Sequence, residues 1–235
     1  MAVREALQPA YVLHRRDYQE TSLILEAMTR DHGRLGLLAR GARRSKRGRA
    51  GTLQAFQPLL LSWSGRGELP VVTAVELAGT PPAMAPAVLP HGFYLNELLM
   101  ALLPRDDAHA EVFYAYAEAL AGLSGDAELA LRRFETTLLR ELGLAPDLET
   151  DAETGLPVSS GTRYRFELER GPVARNADSS AWTVDGDTLL GLQAGALAGE
   201  QRREGRRLMQ LVLAHYLGGR ELKSRELFRR QKQQQ

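Results

Sequence analysis

The rhythm of hydrophobic and polar positions changes once along this chain. Up to residue 77 the apolar positions come in short β-prone runs, over residues 10–15, 21–29, 34–39, 53–63 and 68–77, separated by turn residues. Asp31-His32-Gly33 marks a tight turn between the second and third runs, and Ser64-Gly65-Arg66-Gly67 separates the fourth from the fifth. No helical pattern long enough for a parallel crossover lies among them. The five predicted strands therefore point to a small antiparallel barrel, of which the OB-fold is the commonest nucleic-acid-binding case, with an SH3-like barrel as the alternative.

Beyond residue 77 the period becomes helical. Thr80-Pro-Pro-Ala-Met-Ala-Pro86 reads as a linker. Residues 91–103 are nearly all apolar and predict a central helix, stopped by Pro104. Further helices are expected over 108–123 and 126–142, the latter followed by Gly143 at its C-terminal end and by Pro146. Residues 147–187 lose the helical period, with two short strands expected at 164–168 and 181–184. Helical patterns return over 187–197 and 200–217, the last placing Leu208, Leu211, Val212, His215 and Tyr216 on one face. Gly218-Gly219 ends it, and a short basic segment leads into a Gln-rich tail. The predicted class is α+β. An OB-fold nucleic-acid-binding domain occupies residues 1–80, and a helical domain over 81–235 carries a small β-containing insertion at about 147–187.

Composition narrows the function. The 235 residues are 44% hydrophobic and 25% charged, an ordinary globular balance. No apolar run is long enough to span a membrane, the N-terminus lacks an export signal, and there is no cysteine, so a cytoplasmic protein is expected. Without thiolates, and with five scattered histidines (His14, His32, His91, His109 and His215), a transition-metal cage is not expected.

The formal net charge of +1 conceals a strong asymmetry. Residues 1–80 hold twelve basic and seven acidic groups, residues 81–200 hold eight and nineteen, and residues 201–235 hold ten and three. Basic ends around an acidic middle can present a polyanion-binding face on a protein of nearly neutral charge. The densest point is Arg40-Gly-Ala-Arg-Arg-Ser-Lys-Arg-Gly-Arg49, with six basic residues in ten and no acid. Following a strand and rich in small residues, it predicts a loop whose Arg40, Arg43, Arg44, Lys46, Arg47 and Arg49 each meet a phosphate and release a counterion. Tyr11, Tyr18, Phe56 and Trp63 lie in the same region as base-stacking candidates, each more in keeping with core than with a platform. Arg34, Arg66, Lys223 and Arg225 extend the candidate DNA-contacting set, the last two within a second basic patch formed with Arg220, Arg229 and Arg230.

Motifs for catalysis are missing. There is no phosphate-binding loop, dinucleotide fingerprint, esterase elbow or zincin helix, and Gly191-Leu-Gln-Ala-Gly195 lacks the lysine of a phosphate loop. Asp106 and Asp107 are read as complementing a helix dipole, and His215 as a core histidine. An enzyme in which Asp106, Asp107 or Glu111 binds magnesium and modifies nucleic acid is the alternative function, and a scaffold for an acidic protein a third. Arg132 and Arg133 stand beside Leu131, Phe134, Leu138 and Leu139, a combination suited to an acidic peptide that ends in a hydrophobic residue and a free carboxylate, or else to pairing within the helix.

A family resemblance rests on blocks spread over nearly the whole chain. They are Tyr11-Val-Leu-His14, Glu20-Thr-Ser-Leu23, Gly33-Arg34, Ala39-Arg-Gly-Ala-Arg43, Leu53-Gln54 with Phe56 and Pro58-Leu59, Tyr94-Leu-Asn-Glu-Leu-Leu99, Leu131-Arg-Arg-Phe-Glu135, and Leu217-Gly-Gly with Lys223-Ser-Arg-Glu-Leu-Phe228. In order and spacing they resemble the bacterial DNA repair and recombination protein RecO family. The resemblance implies an OB-fold followed by a helical domain, no turnover of a small molecule and a nucleoid-associated protein. It also implies binding of single- and double-stranded DNA, annealing of strands coated by single-stranded-DNA-binding protein, and loading of the recombinase RecA together with RecR. It assigns the coating protein's acidic C-terminal tail to the block containing Arg132 and Arg133. Many members hold zinc with four cysteines in the region matching 147–180; this chain has none there, so neither zinc nor any other cofactor is carried over.

Overall fold

Alternate residues of the strands build the core of the N-terminal barrel. The computed structural model describes residues 6–44, 49–65, 67–174 and 182–224. Strands β1 (Gln8–Tyr18), β2 (Ser22–Thr29), β3 (Gly33–Ala39), β4 (Leu59–Ser64) and β5 (Val71–Leu77) close in the order β1-β2-β3-β5-β4. Every second side chain turns inward: Leu23, Leu25 and Ala27 from β2, Leu35, Leu37 and Ala39 from β3, and Leu59, Leu61 and Trp63 from β4. The β3–β5 join is parallel, made at Leu38 and Val71, and Leu38 N–H donates to Pro70 O at 2.8 Å. This is the expected α+β class with an OB-like barrel. The fourth expected strand begins six residues later than its apolar run. Residues 53–58 are not strand, and Leu53 and Phe56 enter the core from irregular backbone. Gly33 turns at φ +67°, where the Asp107 carbonyl takes the space of any Cβ.

Helices α1 (Leu89–Leu102) and α2 (Ala110–Gly122) lie against the outer face of β1. Tyr11, directed outward between inward Ala10 and Val12, meets Phe113 and Tyr116 at 5.4 and 5.1 Å between ring centroids. Beside it, buried Asn96 donates to Leu13 O at 2.7 Å and accepts from the Tyr116 hydroxyl at 2.6 Å. Gly92 lets α1 approach Phe56, whose ring lies 2.9 Å from where a Cβ would stand. The chain therefore divides by packing after the second helix: one compact unit is Met1–Ser124 with Leu222–Gln235, the other Gly125–Glu221. The change of rhythm near residue 80 marks where strands end, and α1 and α2 remain with the barrel because their apolar faces cover β1.

The second unit contains α3 (Ala127–Glu141), a three-stranded sheet of β6 (Arg163–Glu167), β7 (Gly171–Ala174) and β8 (Thr183–Asp185) in the order β7-β6-β8, α4 (Gly186–Gln193) and α5 (Glu200–Tyr216). Asp126 caps α3, accepting from Leu129 N–H at 3.1 Å and from Arg202 at 2.6 and 3.0 Å. Gly143 follows α3 with φ +67°, as its position predicts. Strand β7, Gly-Pro-Val-Ala, falls outside the expected strands because its glycine and proline read as a breaker; here they sit at the start of a strand that pairs on one side only. The buried stripe of α5 is Gly205, Leu208, Met209, Val212 and Leu213, so it is rotated from the predicted face. His215 is exposed and meets Tyr216 edge-on at 5.1 Å, which replaces the reading of a core histidine.

Removing the amide of Asn96 leaves the Leu13 carbonyl and the Tyr116 hydroxyl buried without their partner. Asn96→Ala is expected to destabilise the barrel unit by about 2–4 kcal/mol in urea titration followed by near-UV circular dichroism. A loss below about 0.5 kcal/mol would remove this network from the packing account.

Candidate nucleic-acid interface

Three strands converge at the base of the basic segment. The pairings Asp17↔Leu23 and Leu23↔Ala39 form one row across β1, β2 and β3, so the exposed end of β1, with Arg15, Arg16 and Tyr18, lies at the end of the barrel from which residues 40–49 depart. The departure is fixed. Ala42 is buried in the barrel core, Arg43 N–H donates to Thr21 O at 2.8 Å, and Ala50 N–H returns to Ala42 O at 3.1 Å. Arg15 reaches the returning segment, donating to Ala50 O at 2.6 Å and Leu53 O at 3.0 Å. Leu53, fully buried, closes the excursion.

On this base Arg40, Arg43, Arg44 and Arg49 are exposed, with Arg16 beside them. Arg43 meets Asp17 at 3.0 Å in a solvated pair, and Arg49 makes a long contact of 3.4 Å to Thr73 O. An exposed pair of this kind is worth at most about 1 kcal/mol and yields readily to a phosphate. Lys46, Arg47, Arg66 and Arg225 lie outside the described residues. Tyr18 is the aromatic ring exposed at this end, whereas Tyr11, Phe56 and Trp63 are buried. Arg16 was not among the sequence-predicted contacts; the signal was the loss of alternation over residues 14–18, an unbroken polar run at the end of a strand.

Arg34 is placed differently from its expectation. Its Nη1 donates to Glu26 at 2.8 Å and its Nε to Leu103 O at 2.9 Å, with 15% of the side chain exposed. Glu26 also pairs with Arg105. The two arginines tie β2 and β3 to the segment after α1, so Nε and Nη1 of Arg34 are engaged within the protein. Lys223 keeps an exposed side chain while its backbone N–H and that of Ser224 donate to the Glu97 carboxylate at 3.0 and 2.9 Å, which brings the C-terminal segment onto α1.

The carboxylates weighed for a cation are dispersed. Asp107 meets His109 at 3.1 Å, His109 is the N-cap of α2 without a side-chain cap bond, Asp106 donates its N–H to Arg34 O, and Glu111 lies in the first turn. Neither Asp106 nor Asp107 caps the helix: His109 holds the N-cap position, and a left-handed turn at Asp106, φ +59°, precedes it. Among the described residues no group of three or more carboxylate, histidine or cysteine side chains could hold a metal ion, and no helix is long and apolar enough to cross a membrane.

Comparison with known proteins matches this architecture. The family model described as recombination protein O N terminal matches residues 1–81, and that described as recombination protein O C terminal matches residues 88–226. The DNA repair protein RecO of Methylococcus capsulatus is 47% identical over 229 residues, covering 96% of this chain and 94% of that protein. The chain belongs to the RecO family of DNA repair proteins. RecO of Alkalilimnicola ehrlichii is 49% identical over 230 residues, 96% of this chain and 92% of the relative, and RecO of Aromatoleum aromaticum 43% over 225 residues, 94% of each.

In the helical unit of this RecO family member, Arg132 is nearly buried on α3 and donates from Nη2 to Glu135 at 2.5 Å, the partner one turn along the helix. Its Nε and Nη1 reach no acceptor among the described residues. Arg133 is exposed and donates to Gly195 O at 2.7 Å. The segment that lacks cysteines is held instead by two aspartates. Asp147 accepts from Glu149 and Thr150 N–H, and Asp151 from Glu153, Thr154 and Ala174 N–H. Burial raises the pKa of both carboxyls, and the converging amides outweigh it, holding both below the usual aspartate value.

Because Arg34 serves the fold, Arg34→Ala is expected to lower stability by about 1–3 kcal/mol while the slope of log affinity against log salt for oligonucleotide binding stays within about 0.3 of the parent. A slope reduced by close to one unit at unchanged melting temperature would return Arg34 to the contact surface.

Proposed function

We propose that this RecO family member is a non-enzymatic DNA-binding mediator that anneals complementary strands coated by single-stranded-DNA-binding protein and, with RecR, promotes loading of RecA. The observation that carries the reading is the pinned basic segment: Arg40, Arg43, Arg44 and Arg49 stand exposed on a base closed by Ala42, Ala50 and Leu53. Two approaching strands repel through their phosphates. A concentration of cations held on a rigid rim lowers that barrier without reading sequence, and released counterions supply the favourable free energy. Both single- and double-stranded DNA offer the phosphates such a rim requires.

The proposed seat for the coating protein's acidic tail is the Arg132–Arg133 face of α3. Burying a guanidinium with two donor positions unmet is costly, and a carboxylate accepting at either of them recovers part of that cost. Glu135 supplies a counter-charge that keeps the site folded while empty. Nucleoid association in the cytoplasm follows from DNA as the partner.

Replacing Arg43, Arg44, Lys46 and Arg47 together with alanine is expected to lower the slope of log affinity against log salt for single-stranded DNA by up to about 3 units. An unchanged slope would contradict the assignment of the segment to phosphate. Arg132→Ala is expected to weaken binding of an acidic peptide with a C-terminal hydrophobic residue about tenfold or more, with naked-DNA affinity retained within about twofold, read by fluorescence anisotropy on protein of parental circular dichroism. Equal loss of both would merge the two sites into one.

A further inference from the structure

Helix α5 opens with Arg202-Arg203-Glu204-Gly205-Arg206-Arg207, a cluster that the DNA-binding reading leaves unused. Helical geometry splits it. Arg202 and Arg206, four apart, turn toward α3, where Arg202 holds Asp126 at 2.6 Å and Arg206 holds Glu128 at 3.1 Å. Arg203 and Arg207, also four apart, turn toward a cleft of about 410 Å³ bordered by Arg163, Trp182, Thr183, Glu200 and Glu204. That volume falls in the roughly 300–1,000 Å³ range of small-ligand clefts.

The charges in this cleft are unequal in their commitments. Glu204 is held by three donors, Asp185 N–H at 3.1 Å, Thr188 Oγ1 at 2.9 Å and Arg163 at 2.9 Å, so its charge is balanced within the fold. Glu200 and Arg203 form a pair whose side chains are 86% and 74% exposed, and such a pair is readily exchanged. Arg207 has no acid partner among the described residues; it lies over the half-buried Trp182 ring, 4.8 Å from the centroid. The indole with the Arg207 guanidinium over it, and Arg203 on the same wall, form the two halves of a nucleotide site: a base stacks on the guanidinium plane or takes its place on the ring, and the cations meet the flanking phosphates. A carboxylate peptide would use the arginines and leave the indole without a role.

We propose that the Trp182–Arg203–Arg207 cleft is a second DNA-binding site, one that takes an unpaired nucleotide of single-stranded DNA. The inference deepens the DNA-binding reading and rests on it. The site belongs to the helical unit, apart from the basic segment of the barrel in sequence, so one protein would hold a strand at two points. An unstacked base is what distinguishes this contact from backbone binding, since a paired base has no face to offer. Single strands should therefore occupy the cleft and duplex should not.

The test is photocrosslinking of the full-length protein to an oligothymidylate carrying 5-iododeoxyuridine, with the crosslinked peptide read by mass spectrometry and binding followed in parallel by anisotropy. The expected result is a crosslink at Trp182, competed by unlabelled oligothymidylate and not by duplex. Arg203→Ala with Arg207→Ala, both on the exposed face of α5, should reduce it about tenfold at unchanged circular dichroism. Oligothymidylate binding without a Trp182 crosslink, or a crosslink suppressed by a polyglutamate peptide as effectively as by oligothymidylate, would overturn the second site and leave the barrel reading intact. Absence of any oligothymidylate binding would overturn both.

Discussion

Like charges crowded into a short span repel, and in this protein the barrel holds both ends of that span in place. The ends are fixed by burial and by hydrogen bonds: Ala42 and Leu53 sit in the barrel core, Thr21 and Ala42 carbonyls accept from Arg43 and Ala50, and Arg15 clasps the returning segment. The segment cannot relieve its repulsion by moving its base apart. Asp17 is a solvated partner for Arg43, and a solvated ion pair contributes little. An external polyanion would relieve the repulsion further, and under the proposed function nucleic acid would offer one phosphate per cation with release of counterions. Closure of the barrel at Leu38 and Val71 is thus the structural condition for the proposed chemistry.

A count of basic residues overstates the cations available to a partner. Arg34 and Arg105 are spent on Glu26, Arg202 on Asp126 and Arg206 on Glu128, each joining one element to another within its unit. Those left over gather in distinct chemical settings. The barrel rim offers exposed guanidinium groups with Tyr18, α3 offers exposed Arg133 beside an Arg132 that is paired with Glu135 yet keeps two donors unmet, and α5 offers two arginines beside an indole. These settings suit phosphate backbone, carboxylate and base with phosphate, in that order. The first two were candidates from the residue pattern along the chain, while the third needed the helix phase that separates Arg203 and Arg207 from Arg202 and Arg206.

The barrel was legible because β2 and β3 are short β-prone runs bounded by turn residues, and the turns at Gly33 and Gly65 require positive φ. The late start of β4 was not, since Leu53 and Phe56 are as apolar as strand residues yet reach the core from irregular chain. Arg34 misled for a related reason: its partner Glu26 is eight residues away and meets it only through the β2–β3 register. The rotated stripe of α5 reflects Gly205 and Met209 facing inward, positions that a search for large aliphatics passes over. In residues 147–174 the aspartates that gather backbone amides were not legible, because such contacts have no spacing signature to read.

Modification of arginines by phenylglyoxal, mapped by mass spectrometry with and without a single-stranded oligonucleotide, tests the central claim most directly. Arg40, Arg43, Arg44 and Arg49 should react readily in the protein alone and become protected when the strand is bound, while Arg34 should react slowly in both. Unchanged reactivity of those four under conditions where the oligonucleotide is demonstrably bound would contradict the account.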